Sequence, residues 1–266
     1  MFLRCFLLFY LFSATAFAVP NVVSSIQPIN SIISSITQGV LTPKLLLNKT
    51  ESAHHFHLKP SQLSLIKNAD LIVSIHPKFE LGLAKALNNI DSNKQIIVNA
   101  DITNHHSWLD ISLMQKLSTR VAKKLIKIDP SNAVIYRQNL KQTQQQLKRL
   151  KQQNSQALSI YRTANIATFS NSLIHFFHSN SLKNPIIVNQ KHNDKSSIYK
   201  IRKAKKAMKT QKTQCLLSTI EIPEKRIQTV IEGLDIRTAR IDIIGLDVEY
   251  PQLMRNITQK IIKCLK

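Results

Sequence analysis

A stretch near the middle of the chain has the pattern of one long helix. Asp129 and Pro130 supply a capping carboxylate and a first-turn proline, and no further glycine or proline occurs until well past Gln156. Apolar side chains recur at helical spacing on a background rich in Gln, Lys and Arg, at Tyr136, Leu140, Leu147 and Leu150. The pattern predicts a helix of about 25–30 residues, ~40 Å long. A single stripe of about two heptads is too short for a coiled coil, so we expect the helix to link two folded units.

Short β-rich runs alternate with helical patterns on both sides of this helix. We predict strands at 21–26, 45–47, 71–75, 95–99, 165–169, 186–189, 215–219 and 240–244. We predict the other helices at 27–38, 60–68, 78–88, 171–178, 196–210, 224–233 and 252–265. Alternation of this kind predicts an α/β fold of two lobes with mainly parallel sheets and a ligand cleft between the lobes. The expected divisions are a signal peptide at 1–18, an N-terminal lobe at 19–128, the linking helix at 129–160 and a C-terminal lobe at 161–266.

The first eighteen residues have the pattern of a cleavable export signal. Arg4 gives a short positive region, residues 5–12 are apolar, and Ala16-Phe17-Ala18 offers the small residues that a signal peptidase needs. We therefore expect a mature protein that begins near Val19 and is located in the periplasm. Removal of Cys5 leaves Cys215 and Cys264 in an oxidising compartment, which predicts one disulfide between them.

Composition excludes several common function classes. The chain has four glycines, too far apart for a Gly-rich phosphate loop, and it contains neither HExxH nor GxSxG. The net charge of +22 is compatible with an anionic partner. The densest basic run, Lys200–Lys212, has no interleaved aromatic residues, so we interpret it as a solvated helix face and expect no nucleic-acid binding.

The nine histidines are clustered. His54, His55 and His57 share one loop, and His105 and His106 share another. Each cluster follows a predicted strand of the first lobe, so the two loops can meet above the same sheet edge. Neutral imidazole is a preferred zinc ligand, and we therefore expect a metal site there.

These loops resemble motifs of the zinc-uptake solute-binding proteins of ABC transporters, the ZnuA type. Residues 54–61 (HHFHLKPS) resemble the family motif H-x-[FY]-x-L-[RK]-P-S, residues 104–109 (NHHSWL) its H-x-W-L motif, and residues 241–245 (IDIIG) its L-D-P-L-G strand end. The resemblance implies zinc ligands at His54, His106 and Asp242. It also implies a protein with no catalytic residues that captures Zn²⁺ as cargo for an inner-membrane ABC permease. We further expect Mn²⁺ to be a less favoured cargo and the protein to be a monomer.

The sequence departs from this family at the third histidine, where it has Ser170. Three outcomes follow. A histidine outside the family pattern completes the metal site, or zinc is held by the three implied ligands and water, or metal capture has been lost. The candidates for the additional ligand are His55, His57, His105, His175 and His178.

Two other function classes stay open. The basic composition is compatible with an exported interaction protein that binds an anionic partner such as lipopolysaccharide or an acidic protein. A zinc hydrolase also uses three ligands and water, but the first histidine loop offers only Glu51 as a general base.

Overall fold

The computed structural model describes residues 18–47, 57–98, 104–189 and 197–266. His54, His55 and the predicted export signal up to residue 17 lie outside these residues. Within the described part of the chain, no helix is both long enough and apolar enough to cross a membrane.

The described residues of the N-terminal lobe form four strands and four α-helices. The strands are β1 (Val22–Ser24), β2 (Lys44–Leu45), β3 (Leu71–Ser74) and β4 (Gln95–Ile97). The helices are α1 (Gln27–Thr37), α2 (Pro60–Lys67), α3 (Leu81–Leu87) and α4 (Ile111–Ile128). All strands are parallel, in the order β2-β1-β3-β4. Every residue of β1 and β3 is buried, as expected for central strands of a covered parallel sheet.

A long helix, α5 (Ala133–Ala157), follows a short 3₁₀ turn at Pro130–Asn132 and leads into the C-terminal lobe. The strands of that lobe are β5 (Ile166–Ser170), β6 (Ile186–Asn189), β7 (Cys215–Thr219) and β8 (Arg237–Ile241). Its helices are α6 (Ile174–Ser179), α7 (Ile198–Thr210), α8 (Glu224–Ile231) and α9 (Tyr250–Leu265). The sheet is again all parallel, in the order β6-β5-β7-β8. The predicted α/β class with two parallel sheets and a linking helix is therefore confirmed, while the predicted domain boundaries stay predictions.

The disulfide joins the beginning of β7 to the last turn of α9. Cys215 and Cys264 are bonded, with their Cα atoms 5.8 Å apart, as the cysteine count predicted. The two cysteines are 49 positions apart in the chain. The bond therefore fixes α9 against the C-terminal sheet and restricts the unfolded chain.

Helix α5 is held by amide side chains as well as by its apolar stripe. The Asn139 side-chain N–H donates to the carbonyls of Ile36 and Gln38, each at 2.9 Å, at the end of α1. The Gln144 side-chain amide donates to the Gln115 carbonyl of α4 at 2.8 Å. These bonds satisfy backbone groups at a helix end and along α4, so they fix the register of the three helices.

Several element bounds differ by a few residues from the sequence-based expectation, α3 for example beginning at Leu81 and not at residue 78, and the clearest differences concern one helix and one strand. Helix α4 was not predicted, although its buried residues recur every three or four positions, from Ile111 to Leu125. Strand β8 begins and ends three residues earlier than predicted. It is an edge strand with exposed Arg237, Thr238 and Arg240, so it lacks an apolar run, and the chain turns after Ile241.

Trp108 and Tyr250 connect the lobes at their boundary. The Trp108 indole N–H donates to the Ile243 carbonyl at 2.7 Å, and the Tyr250 hydroxyl donates to the Trp108 carbonyl at 2.8 Å. The Ser31 hydroxyl of α1 also donates to the Glu249 carboxylate and accepts from the Tyr250 backbone N–H. One apolar core that includes both Trp108 and Tyr250 runs through the two lobes.

We expect Tyr250→Phe to lower the free energy of unfolding by about 1–3 kcal/mol, because the buried Trp108 carbonyl loses its partner. Urea denaturation followed by circular dichroism measures this change. Tyr199→Phe is the matched control, since Tyr199 is exposed, and its effect should stay within about 0.5 kcal/mol. Equal stability of the two variants would contradict the structural role given to the Tyr250 hydroxyl.

Candidate metal centre

Histidines of the N-terminal lobe gather at the carboxyl ends of two neighbouring strands. His76 lies two residues after β3, and His105 and His106 lie in the segment between β4 and α4. The His76 and His105 rings are stacked, with centroids 4.7 Å apart and planes at 9°. The Phe79 ring makes T-shaped contacts with the rings of both His105 and His106. The carboxyl edge of a parallel sheet is where ligands bind in open α/β folds.

His106 is buried and tightly oriented. Its side chain is 4% exposed, and its ring packs against Phe79 at 5.2 Å and Trp108 at 5.1 Å between centroids. Its Nδ1 lies 2.9 Å from the Asn104 Oδ1, which is an acceptor only. The proton of a neutral ring is therefore on Nδ1, and the lone pair is on Nε2, the atom that a metal would coordinate.

Asn104 connects His106 to the C-terminal lobe. Its Oδ1 also accepts the His106 backbone N–H at 3.0 Å, and its side-chain N–H donates to the Asn171 carbonyl at 2.6 Å. The His175 Nε2 of α6 lies 2.8 Å from the Asn104 carbonyl. Both amide ends are thus engaged, and the orientation of His106 depends on a contact that crosses between the lobes.

His76 is a member of this cluster that the sequence interpretation did not select. Its Nδ1 accepts the Lys78 backbone N–H at 3.0 Å, which places the proton of the neutral ring on Nε2. Burial lowers the pKa of His76, and the charge of Lys78 lowers it further. Burial, His76 and Lys78 likewise lower the pKa of His105. Both rings of the stacked pair are therefore neutral at physiological pH. The sequence signal that could have identified His76 is its position directly after the buried strand β3.

The family and the fold have known counterparts. The family described as zinc-uptake complex component A, periplasmic, matches residues 22–264. This chain belongs to that family. It is 23% identical to the high-affinity zinc uptake system protein ZnuA of Brucella abortus (strain 2308), over 92% of this chain and 91% of the relative. It is 21% identical to ZnuA of Paracoccus denitrificans (strain Pd 1222), over 93% and 92% of the two chains.

Solved structures share the two-lobed architecture. A crystal structure of ZnuA superposes with a TM-score of 0.82 at 21% identity, covering 94% of this chain and all of the other (100%). A manganese-bound mutant of a periplasmic metal-binding protein from Candidatus Liberibacter asiaticus superposes with a TM-score of 0.83 at 20% identity, over 93% and 100%. These likenesses support the fold, and the individual metal ligands of this chain stay predictions.

The C-terminal lobe presents oxygen atoms where this family is expected to offer a third histidine. Ser170, the last residue of β5, is 4% exposed, and its hydroxyl lies 2.7 Å from that of Ser172. Asp242 follows β8, and its Oδ1 accepts the backbone N–H groups of Ile244 and Gly245, each at 2.9 Å. Asp242 also lines a cavity of about 520 Å³ whose described walls come from residues 242–263 of this lobe.

The remaining predicted histidines have different surroundings. His57 is exposed. His178 lies on α6 with its Nε2 3.1 Å from the Asn184 Oδ1, at the surface. Among the residues that the structure describes, no three His, Cys, Asp or Glu side chains are grouped closely enough to hold a metal ion. A three-ligand protein site therefore needs a donor from outside the described ranges, and His54 is the predicted one.

A buried carboxyl group supports the segment that carries His76. The Glu80 Oε2 accepts the backbone N–H groups of Ile75 at 2.8 Å and His76 at 3.2 Å. Burial raises the pKa of Glu80 to about 7, although the Ser25 hydroxyl and the two backbone N–H groups favour the charged form. The folded protein consequently retains a proton on Glu80 at pH values where the unfolded chain has lost it.

We expect the stability that Glu80 contributes to fall as pH rises between about 4.5 and 7, because the folded state binds the Glu80 proton more tightly than the unfolded chain does. Glu80→Gln replaces the carboxyl group with a neutral amide of similar shape, so the variant lacks the pH-dependent stability that comes from the Glu80 proton. The unfolding free energy of the variant should therefore gain about 2–4 kcal/mol relative to wild type between pH 4.5 and pH 8.

Urea denaturation over this pH range measures the difference. Glu224→Gln, at an exposed carboxylate, is the control. Its unfolding free energy plotted against pH should run parallel to the wild-type curve. A Glu80→Gln curve that also runs parallel would show that Glu80 has an ordinary pKa in the folded state.

Proposed function

We propose that this protein captures Zn²⁺ in the periplasm and delivers it to an inner-membrane ABC permease. The family is one of periplasmic solute-binding proteins for zinc uptake, not of enzymes. The observation that carries the proposal is the buried His106, whose Nδ1 faces the Asn104 Oδ1 so that the neutral ring carries its lone pair on Nε2. The protein has no catalytic role in this proposal, because zinc is its cargo.

The proposed coordination shell contains His54, His106 and Asp242. His105 is the leading candidate for a further ligand, since it lies beside His106, is neutral at physiological pH and has a buried Nδ1 without a hydrogen-bond partner among the described residues. Imidazole donors favour zinc over manganese, which prefers carboxylate and carbonyl oxygen atoms. The proposed export signal at 1–18 and a monomeric mature protein complete this description.

Zinc titration against a competing chelator tests the proposal directly. We expect one Zn²⁺ per chain, bound more tightly than Mn²⁺. The double variant His54→Ala/His106→Ala should bind at least about 100-fold more weakly, because it removes two of three protein ligands. His178→Ala is the matched control, and its affinity should stay within about threefold of wild type because the His178 side chain is exposed and its Nε2 lies against Asn184 at the surface.

Affinity should also fall as the pH drops through about 6.5, since imidazole ligands must be neutral. Wild-type protein that takes up no zinc under these conditions would favour the alternative function, an exported basic interaction protein that has lost metal capture. Zinc-dependent hydrolysis of ester or phosphate substrates would instead favour a hydrolase.

Asn104 is the proposed positioning residue of the site. Asn104→Ala removes the acceptor that fixes the His106 ring and should weaken zinc binding about 10- to 100-fold. Asn104→Asp keeps an acceptor oxygen for His106 but loses the N–H that donates to the Asn171 carbonyl. We therefore expect Asn104→Asp to retain most of the zinc affinity and still lower the melting temperature.

Both variants are measured by the same chelator competition and by thermal unfolding without metal. If Ala and Asp at this position lower the zinc affinity equally, the amide acts through the contact between the lobes and not through the His106 ring.

A further inference from the structure

Helix α7 presents a strongly cationic face to solvent. It packs against β6 and α8 through Ala204 and Met208, which are both buried. The opposite side carries Tyr199, Arg202, Lys203, Lys206 and Lys209, all exposed. These five residues, called the α7 face below, occupy about 120° of the helix circumference and about 15 Å of its length.

Among the described residues, no acidic side chain neutralises the cations of the α7 face. The helix contains six Lys and Arg residues and no acidic residue in its 13 positions. The side chains of these four cations make no hydrogen bond or ion pair with another residue of the described ranges. Four positive charges therefore project from one side of one helix, in a protein whose net charge is already +22.

The first turn of α7 adds exposed apolar surface next to these charges. Tyr199 is 73% exposed and Ile198 is 71% exposed. Tyr199 precedes Arg202, Lys203 and Lys206 by three, four and seven positions, so its ring lies among the cations on the same face. Because the two exposed side chains are adjacent, they form one apolar patch beside the cations, and apolar surface next to lysine and arginine is typical of helices that lie on a membrane surface.

We propose that the α7 face docks on an anionic phospholipid surface. Lysine and arginine pair with lipid phosphates, tyrosine lies at the level of the headgroups, and isoleucine enters the acyl boundary. Nucleic acid would instead call for several aromatic rings along a groove, and α7 has one. An acidic protein would match the charges but would not account for the two exposed apolar side chains. The inference goes beyond the proposed function and does not depend on metal binding.

Vesicle flotation with the exported, purified protein tests this inference. We expect binding to vesicles of phosphatidylglycerol and phosphatidylethanolamine at 50 mM salt, much weaker binding at 300 mM salt, and none to pure phosphatidylcholine, because salt screens surface charges within about a Debye length. The test variant is R202Q/K203Q/K206Q/K209Q, and we expect it to bind at least about tenfold more weakly.

A matched variant separates the α7 face from the overall charge. It removes one arginine and three lysines at exposed positions of α4 and α5, as K123Q/R137Q/K141Q/K148Q. This control should lose less than about threefold in affinity. Tyr199→Ser should weaken vesicle binding severalfold, also at salt concentrations that reduce the electrostatic contribution to binding, because the contact of the tyrosine ring with the headgroups is lost. Circular dichroism verifies that the variants are folded.

Three results would overturn the proposal. The first is an equal loss of vesicle affinity in the two quadruple variants, which would assign binding to the net charge of the protein. The second is no binding of the wild-type protein to anionic vesicles. The third is a quadruple α7 variant that loses affinity for a DNA duplex but keeps its affinity for vesicles. This result would assign the helix to nucleic-acid binding.

Discussion

The contact of Trp108 with the C-terminal lobe fixes the arrangement on which the candidate metal centre depends. The indole N–H bonds to the Ile243 carbonyl, and the Trp108 carbonyl accepts the hydroxyl of Tyr250. The same ring packs against His106 and Phe79, at 5.1 and 5.5 Å between centroids. A displacement of the segment after β8 would therefore disturb the packing of His106. Lobe arrangement and ligand orientation are coupled through one buried side chain.

The linking helix limits how far the lobes can move apart. Asn139 caps the end of α1, and Gln144 bonds to α4, so α5 is attached to the N-terminal lobe over several turns. At its start, the Tyr136 hydroxyl donates to the Asp129 carboxylate at 2.7 Å. A wide separation of the lobes would instead break the bonds of Trp108 with the Ile243 carbonyl and of Tyr250 with the Trp108 carbonyl, at a cost of about 1–3 kcal/mol for each buried group left without a partner. Exchange of cargo is consequently expected to use a small tilt or a loop movement, not a wide hinge opening.

Much of the fold was predictable because its signals are local. Buried strands such as 71–75 are continuous apolar runs, and the long helix follows a proline and contains no later breaker. The predicted capping role of the Asp129 carboxylate is wrong, since α5 begins after Asn132 and neither residue makes a side-chain cap bond. Edge strand β8 was misplaced because its exposed residues carry no apolar signal. The Trp108–Tyr250 contact joins residues 142 positions apart in the chain. No local pattern contains such a contact, although the buried aromatic residues that make it are visible in the sequence.

The candidate site was predictable to a smaller extent. The H-x-W-L pattern selects His106, but the role of Asn104 depends on the Asn171 carbonyl in the other lobe, which only the folded chain brings within 2.6 Å. The stacking of His76 on His105 depends on the adjacency of β3 and β4, which follows from strand order and not from the spacing of histidines.

Replacement of the expected third histidine by Ser170 changes what the C-terminal lobe contributes. Ser170 and Ser172 bond to each other, and the Asn171 carbonyl between them accepts from Asn104. A hydroxyl is a weaker zinc donor than imidazole, so we propose that this segment acts on the site mainly by holding Asn104, which orients His106. Under the proposed function, the N-terminal lobe supplies the imidazoles, and the C-terminal lobe supplies Asp242 and fixes the orientation of His106. Separation of the lobes would then lower zinc affinity by releasing the His106 ring, even though β5 itself supplies no imidazole to the metal.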